Sequence, residues 1–314
     1  MDPSQGGMVL KPRALKRGST IAVFAPASPV EQDVLLQGVT YLNAMGYRTM
    51  ISDLIFSRYH YFAGSHRDRA MELNRLFADP DVDAIFCARG GYGCVHLLPY
   101  LDSAIIRSNP KIFLGYSDVT VLLQYLERQT EMVCFHGPMV AREFGSGAAA
   151  FNEDNLLDCV ARRTEEIRIT AAQMESLRPG TAKGRLTGGC LSLIVSMLGT
   201  SYEIDTREKI LFLEDVNTRP YQIDRMLMQL KLAQKFVQIR GLVFGKMLNC
   251  NQNSDTEYRV QEIISDILSE FQFPILYGLP SGHTQSNSLT LPMGVQVTLD
   301  CERQCLVLDE SAVV

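Results

Sequence analysis

KIFLGYSDVTVLLQYL, residues 111–126, runs from an apolar strand directly into an amphipathic helix, with Gly-Tyr-Ser-Asp at the junction. A serine between strand and helix sits on a sharp turn at the carboxyl edge of a sheet, its hydroxyl pushed outward. The N–H of the next residue, Asp118, then lies at a helix N-terminus and can face a developing oxyanion. That is the mechanics of a nucleophile elbow. The match to G-x-S-x-G is incomplete, because Val119 stands where the last glycine would be. Taken alone, the segment also fits a plainer reading in which Ser117 or Asp118 caps the helix.

The flanking sequence repeats the same alternation. TIAVFAPAS (20–28) reads as a buried strand, and VEQDVLLQGVTYLNAMG (30–46) as a helix stopped at Gly46. YRTMISD (47–53) follows as a strand, SHRDRAMELNRLFADP (65–80) as a helix ended by Pro80, and DAIFCAR (83–89) as a strand. A short helix from Cys94 and the strand MVCFHG (132–137) complete the set. Such units predict an α/β fold, a doubly wound and mostly parallel sheet over residues 1–150. Sites in these sheets gather at the carboxyl ends of the strands. ARGGYG (88–93) lies at one such end, and its glycines let backbone amides approach a ligand closely. A tight turn explains the same glycines equally well. The loop is neither a P-loop nor a GxGxxG fingerprint.

The texture changes after about residue 145. EFGSGAAAFNEDN predicts a passage toward a linker. Residues 151–314 then carry short strands (RIT, GRLTGG, KILFLEDV, GLVFGKML, VQVTLD, CLVLDE) between helices at 190–199, 220–235 and 256–271. They predict a β-rich α+β domain with a largely antiparallel sheet.

Composition narrows the function classes. The 314 residues carry a net charge of −5, which argues against a nucleic-acid binder. No apolar run approaches the roughly 18 residues of a membrane span, and the N-terminus lacks the apolar core of a signal peptide. A soluble, cytoplasmic protein is expected. The eight cysteines form no CxxC pair and read as reduced, buried thiols.

A serine nucleophile needs a base and a group to orient it. Of the five histidines, His66 and His96 fall on helices and His136 ends a strand. His283 lies on the polar loop LPSGHTQSN and is the better base. Glu214 and Asp215 end the apolar run LFLED, where a carboxylate needs a partner. Arg89, beside the glycines, is the cationic candidate, since a guanidinium can grip a carboxylate bidentately.

GYSD, ARGGYG, LEDVNTRPYQIDRML (213–227) and the GH-plus-LPMG stretch at 282–294, in this order, resemble the serine LD-carboxypeptidases. That family includes murein tetrapeptide carboxypeptidases and microcin C self-immunity peptidases. The resemblance runs from about Gly18 to Asp300. It implies a Ser117–Glu214–His283 triad, oxyanion amides at Asp118 and around Gly90 and Gly91, and an amidotransferase-like N-terminal domain. It also implies a homodimer that acts on muropeptides by removing the terminal D-alanine of a tetrapeptide, with no metal or cofactor. The chain departs from the family's pattern at Cys190, after Gly188-Gly189, and at Thr218-Arg219 before Pro220-Tyr221. Both departures bear on substrate contacts rather than on the triad. The alternatives are hydrolysis of a peptidyl-nucleotide amide, a non-catalytic peptide- or sugar-binding protein, and, remotely, a cysteine hydrolase using Cys94 or Cys134.

Overall fold

The computed structural model describes residues 9–251 and 258–314. Two sheets carry the chain. The first is built from β1 (Thr20–Phe24), β2 (Arg48–Ile51), β3 (Ala84–Cys87), β4 (Ile112–Gly115) and β5 (Cys134–His136). Helices α1 (Gln32–Ala44), α2 (His66–Ala78), α3 (Ser103–Ser108) and α4 (Thr120–Thr130) connect them. Strands β1, β3 and β4 are buried along their whole length, as a parallel strand covered on both faces must be. The order β2-β1-β3-β4-β5 is parallel throughout, so the chain winds outward in both directions from the β1/β3 pair. The expected short helix after Cys94 is a 3-10 segment, Cys94–Tyr100.

The second sheet takes β6 (Ile167–Thr170), β7 (Glu175–Arg178), β8 (Thr181–Cys190), β9 (Lys209–Glu214), β10 (Gly241–Gly245) and β11 (Ile275–Leu279). Strand β12 (Leu291–Met293) returns to the first sheet, and β13 (Gln296–Asp300) and β14 (Cys305–Leu308) complete the second. Helix α5 (Glu153–Val160) precedes this half, and α6 (Leu191–Ser196), α7 (Pro220–Leu232) and α8 (Val260–Ile267) lie within it. The first two residues of the helix expected at 256–271 fall outside the described residues.

The largely antiparallel expectation needs correction. Strands β8, β9, β10 and β11 run parallel as a block, and antiparallel pairs occupy only the flanks. The reason is visible in the strands. KILFLE, GLVFG and ILYGL are unbroken apolar runs with helices between them, whereas QVTLD alternates and pairs antiparallel. The expected linker near residue 145 is packed instead: Phe144 and Phe151 meet at 4.6 Å between ring centres, and α5 buries Leu156 and Val160. The two expected units also share a sheet, since β12, at Leu291–Met293, pairs antiparallel with β5.

Two sets of carboxyl strand ends are thereby brought together. One core lies between the sheets, and a second lies under α6, α7 and α8. At the seam the Thr120 side chain fills the space beside Gly189: a Cβ there would meet Thr120 Oγ1 at 2.7 Å, and the Cys190 N–H donates to that oxygen at 3.0 Å. The start of α4, and with it the Gly-Tyr-Ser-Asp turn, is thus fixed against the end of β8.

Candidate active site

Ser117 follows β4 with φ +64°, a left-handed conformation that is costly for any residue with a Cβ. Tyr116 before it is extended and fully buried, and Val119 after it already has helical angles. The turn is therefore as sharp as the sequence suggested. The capping alternative fails on geometry, since no side chain caps this helix start. The Asp118 carboxylate instead accepts the buried Cys94 N–H at 2.8 Å and ties the turn to the glycine loop. Burial pushes that carboxyl's pKa up, partly offset by the Cys94 hydrogen bonds and by Arg69.

The loop is held on every side. Ser28 Oγ accepts the Tyr92 N–H at 3.2 Å, and Arg69 donates to the carbonyls of Gly64, Gly93 and Pro26. Gly91 has φ +116°, and a Cβ there would meet Ser28 Oγ at 2.2 Å, so only glycine fits. Gly90 is different. Its φ is ordinary, but a Cβ would sit 3.1 Å from Ser117 Oγ and 3.5 Å from the Asp118 amide nitrogen. The missing side chain leaves a small space bounded by a hydroxyl and an amide. It opens into a cleft of about 370 Å³ lined by Arg89, Gly90, Gly91, Ser117 and Arg142 among others. Arg89 is exposed, and its Nη1 donates to Pro29 O at 3.1 Å.

Glu214 ends β9 and is 1% exposed. Its Oε2 accepts both the His283 Nδ1–H at 2.8 Å and the His283 backbone N–H at 3.1 Å. This pair of contacts to one residue fixes the imidazole's tautomer and aims Nε2 away from the acid. Gly282, at φ +83°, makes the approach possible, because a Cβ there would meet Glu214 Oε2 at 2.6 Å. Burial alone would raise the Glu214 carboxyl's pKa. The charge of His283 and its hydrogen bonds outweigh that, and the group stays below the usual glutamate value. Among the described residues Ser117 Oγ makes no hydrogen bond to His283. The Tyr116 ring bridges the two, meeting the His283 ring edge-on with centres 5.0 Å apart. Asp215, next in the chain, plays a structural part. It accepts the Ser192 and Val216 N–H groups and the Thr218 hydroxyl, stitching the ends of β8 and β9. Both departures from the family pattern, Cys190 and Thr218, thus touch this carboxylate.

Sequence reasoning set His136 aside as a base and did not single out Glu143 or Arg142. His136, buried at the end of β5, places Nε2 3.9 Å from Glu214 Oε1. The Ser281 hydroxyl donates to Leu289 O, so His136 Nδ1–H donates to Ser281 Oγ at 3.3 Å and Nε2 is left bare. Burial holds His136 down at about 4. The ring is neutral in the folded protein, while in the unfolded chain it titrates near 6.5. Between these values the unfolded state binds the extra proton, so stability should rise with pH across that window, by up to about 3 kcal/mol. Denaturant titrations of wild type and His136→Gln across it check this: the wild-type slope should exceed the variant's, and parallel profiles would refute it. Tyr116 donates its hydroxyl to Glu143 at 2.7 Å, and Glu143 also lies 3.1 Å from Arg142. Glu143 and Arg142 were hidden because Tyr116, which both touch, comes from a separate part of the chain.

The remaining candidates do not converge. All eight cysteines are free and buried, and burial pushes the thiols of Cys94 and Cys134 far up, which disfavours either as a nucleophile. His66 stacks on His96 with ring centres 4.2 Å apart, away from the Glu214–His283 pair, in a cluster with Phe62 and Tyr92. Among the described residues no group of three or more His, Cys, Asp or Glu side chains is arranged to hold a metal ion, and no helix is long and apolar enough to cross a membrane.

Comparison with known proteins follows the two halves of this site. Residues 21–137 match the profile of the LD-carboxypeptidase N-terminal domain, and residues 183–299 that of the C-terminal domain. A Bacillus subtilis protein described as a probable murein peptide carboxypeptidase is 34% identical over 95% of this chain and 94% of its own. The muramoyltetrapeptide carboxypeptidase of Oxalobacter formigenes superposes with a TM-score of 0.82 at 29% identity, over 93% of this chain and 98% of its own. The Microcin C7 self-immunity protein MccF gives 0.90 at 26% identity, over 97% and 100%. A match that takes in both domains, the strand-to-helix serine and the strand-end glutamate alike, leaves one assignment: the chain belongs to the LD-carboxypeptidase family, peptidase S66, and is a hydrolase of that kind.

Proposed function

We propose that the protein is a serine LD-carboxypeptidase that removes the terminal D-alanine from murein tetrapeptides, with Ser117, His283 and Glu214 as its triad. The observation that carries this reading is the Glu214 Oε2 contact to His283, at 2.8 Å from Nδ1. A histidine so held can use Nε2 as a base toward a serine on the facing turn. In the first step the Ser117 oxygen attacks the carbonyl carbon of the penultimate residue as its proton passes to His283. The oxyanion forms in the space beside Gly90, facing the amides of Asp118 and Gly91. His283 then gives its proton to the departing D-alanine amine. Water, activated by the same imidazole, hydrolyses the Ser117 ester and restores the enzyme. The ionised Glu214 stabilises the imidazolium that appears in both steps. Arg89, on the wall of the cleft, adds positive charge for a substrate rich in carboxylates.

The murein peptide is the favoured substrate because relatives named for murein peptides include the 34% identical one. MccF relatives support a second reading, a peptidyl-nucleotide amide cleaved by the same groups. Presenting both substrates to the purified protein decides between them: kcat/KM should be at least about tenfold higher for the tetrapeptide. The reverse ratio would replace the first reading by the second. Cell-wall fragment recycling would place the enzyme in the cytoplasm, and the proposal includes a homodimer, which light scattering at micromolar concentration would reveal.

Gly90→Ala isolates the oxyanion space. The backbone tolerates alanine there, yet the methyl group intrudes on Ser117 Oγ. A fall of about 10²- to 10³-fold in kcat is expected, the effect of losing one oxyanion donor, with the melting temperature little changed. Unchanged turnover would remove the oxyanion from this position.

A further inference from the structure

The cleft beside Ser117 carries two guanidinium groups, Arg89 and Arg142, and they are not equivalent. Arg89 already donates through Nη1 to the Pro29 carbonyl. Arg142 rises from a short helical segment, Val140–Phe144, kinked at Ala141 (φ −86°, ψ 15°) just beyond β5.

Arg142 is fixed along one edge only. Its Nε lies 3.1 Å from Glu143 Oε1, and its guanidinium carbon lies 5.9 Å from the centre of the Tyr116 ring. Glu143 is buried and held in turn by the Tyr116 hydroxyl at 2.7 Å and the Met139 N–H at 2.9 Å. Tyr116 directly precedes Ser117, so the cation is tied to the nucleophile's own turn. Among the described residues the two Nη groups of Arg142 make no hydrogen bond, and the side chain is half exposed to the cleft. The acid on the same wall, Glu31, is paired at 2.9 Å with Arg58. The cleft therefore offers a pre-oriented, planar pair of donors to an anion.

We propose that Arg142 takes the free C-terminal carboxylate of the substrate, both oxygens on its Nη fork, and thereby makes the enzyme an exopeptidase. A fork held by a buried acid and an aromatic face is suited to bidentate carboxylate recognition, which a lysine cannot reproduce. The inference rests on the peptidase reading above and adds to it the residue that selects the chain end.

The test is calorimetric binding to the Ser117→Ala protein, where no turnover interferes. The ligands are the tetrapeptide with a free terminal carboxylate and the same peptide with a terminal carboxamide. With Arg142 present, the carboxylate form should bind about 10- to 100-fold more tightly. Arg142→Met should bring it down to the level of the carboxamide, whose own affinity should change by less than about threefold. Arg142→Lys should give an intermediate ratio, and it guards against a Met variant that folds poorly. Equal weakening of both ligands would mean that Arg142 only supports Tyr116 and would overturn the inference. So would transfer of the discrimination to Arg89, seen as its loss in Arg89→Met. Failure of the underlying reading looks different and takes the inference with it: neither peptide binds, even with Arg142 intact.

Discussion

Ser117→Ala should lower kcat on the tetrapeptide by about 10⁴- to 10⁶-fold and leave the protein folded. The expectation follows from geometry. Ser117 is at φ +64° whether or not it carries a hydroxyl, so alanine neither relieves nor adds backbone strain. Removal of Oγ breaks no hydrogen bond among the described residues, and stability should shift by no more than about 0.5 kcal/mol. What disappears is the nucleophile alone. The Asp118 and Gly91 amides and the cleft persist, so substrate affinity should survive. Steady-state kinetics beside a thermal melt checks both halves. A loss under tenfold would move the nucleophile elsewhere, and a collapsed melt would show that the hydroxyl has a structural role.

Glu214→Gln should cost about 10³- to 10⁴-fold in kcat, with KM changed by only a few-fold. The amide has the size of the acid and fits a site only 1% exposed. Glu214 Oε2 now accepts two hydrogen bonds from His283 and carries the charge that opposes an imidazolium. Glutamine keeps one accepting oxygen but loses the charge, and its NH₂ end can force the wrong imidazole tautomer. Because the fold holds Glu214 below the usual glutamate value, its charge contributes to stability, and the neutral amide should lower the melting temperature modestly without unfolding the protein. Raising the pH should not restore the rate, since hydroxide supplies neither the tautomer nor the charge. Near-wild-type turnover would exclude Glu214 from the mechanism.

Ser117 and the glycine loop are legible in the sequence because each interrupts an apolar run at a predictable place, the carboxyl end of a strand. The parallel half of the second sheet was misread as antiparallel, although KILFLE, GLVFG and ILYGL have the unbroken apolar character of strands covered on both faces. The Glu214–His283 contact was not legible from spacing. It spans 69 residues and depends on β9 lying beside β10, and β10 beside β11. Sequence reasoning offered His283 as the partner of a strand-end carboxylate, Glu214 or Asp215, and the family resemblance chose Glu214. His136 and Arg142 were opaque for a related reason. FHGPMVARE reads as a strand end followed by ordinary charge, until β5 is placed against Glu214 and the kinked segment 140–144 against Tyr116. Strand β12 has three residues, one of them Pro292, too few for any period to show.

Ser117 as the carrier of carboxypeptidase chemistry on a murein tetrapeptide is the centre of the mechanism. Mass spectrometry of L-Ala-D-Glu-diaminopimelyl-D-Ala, incubated separately with wild type and Ser117→Ala, tests it most directly. The predicted result is release of the single terminal alanine by the wild type, with the tetrapeptide left intact by the variant. An intact peptide in both samples, or cleavage by both, would contradict it.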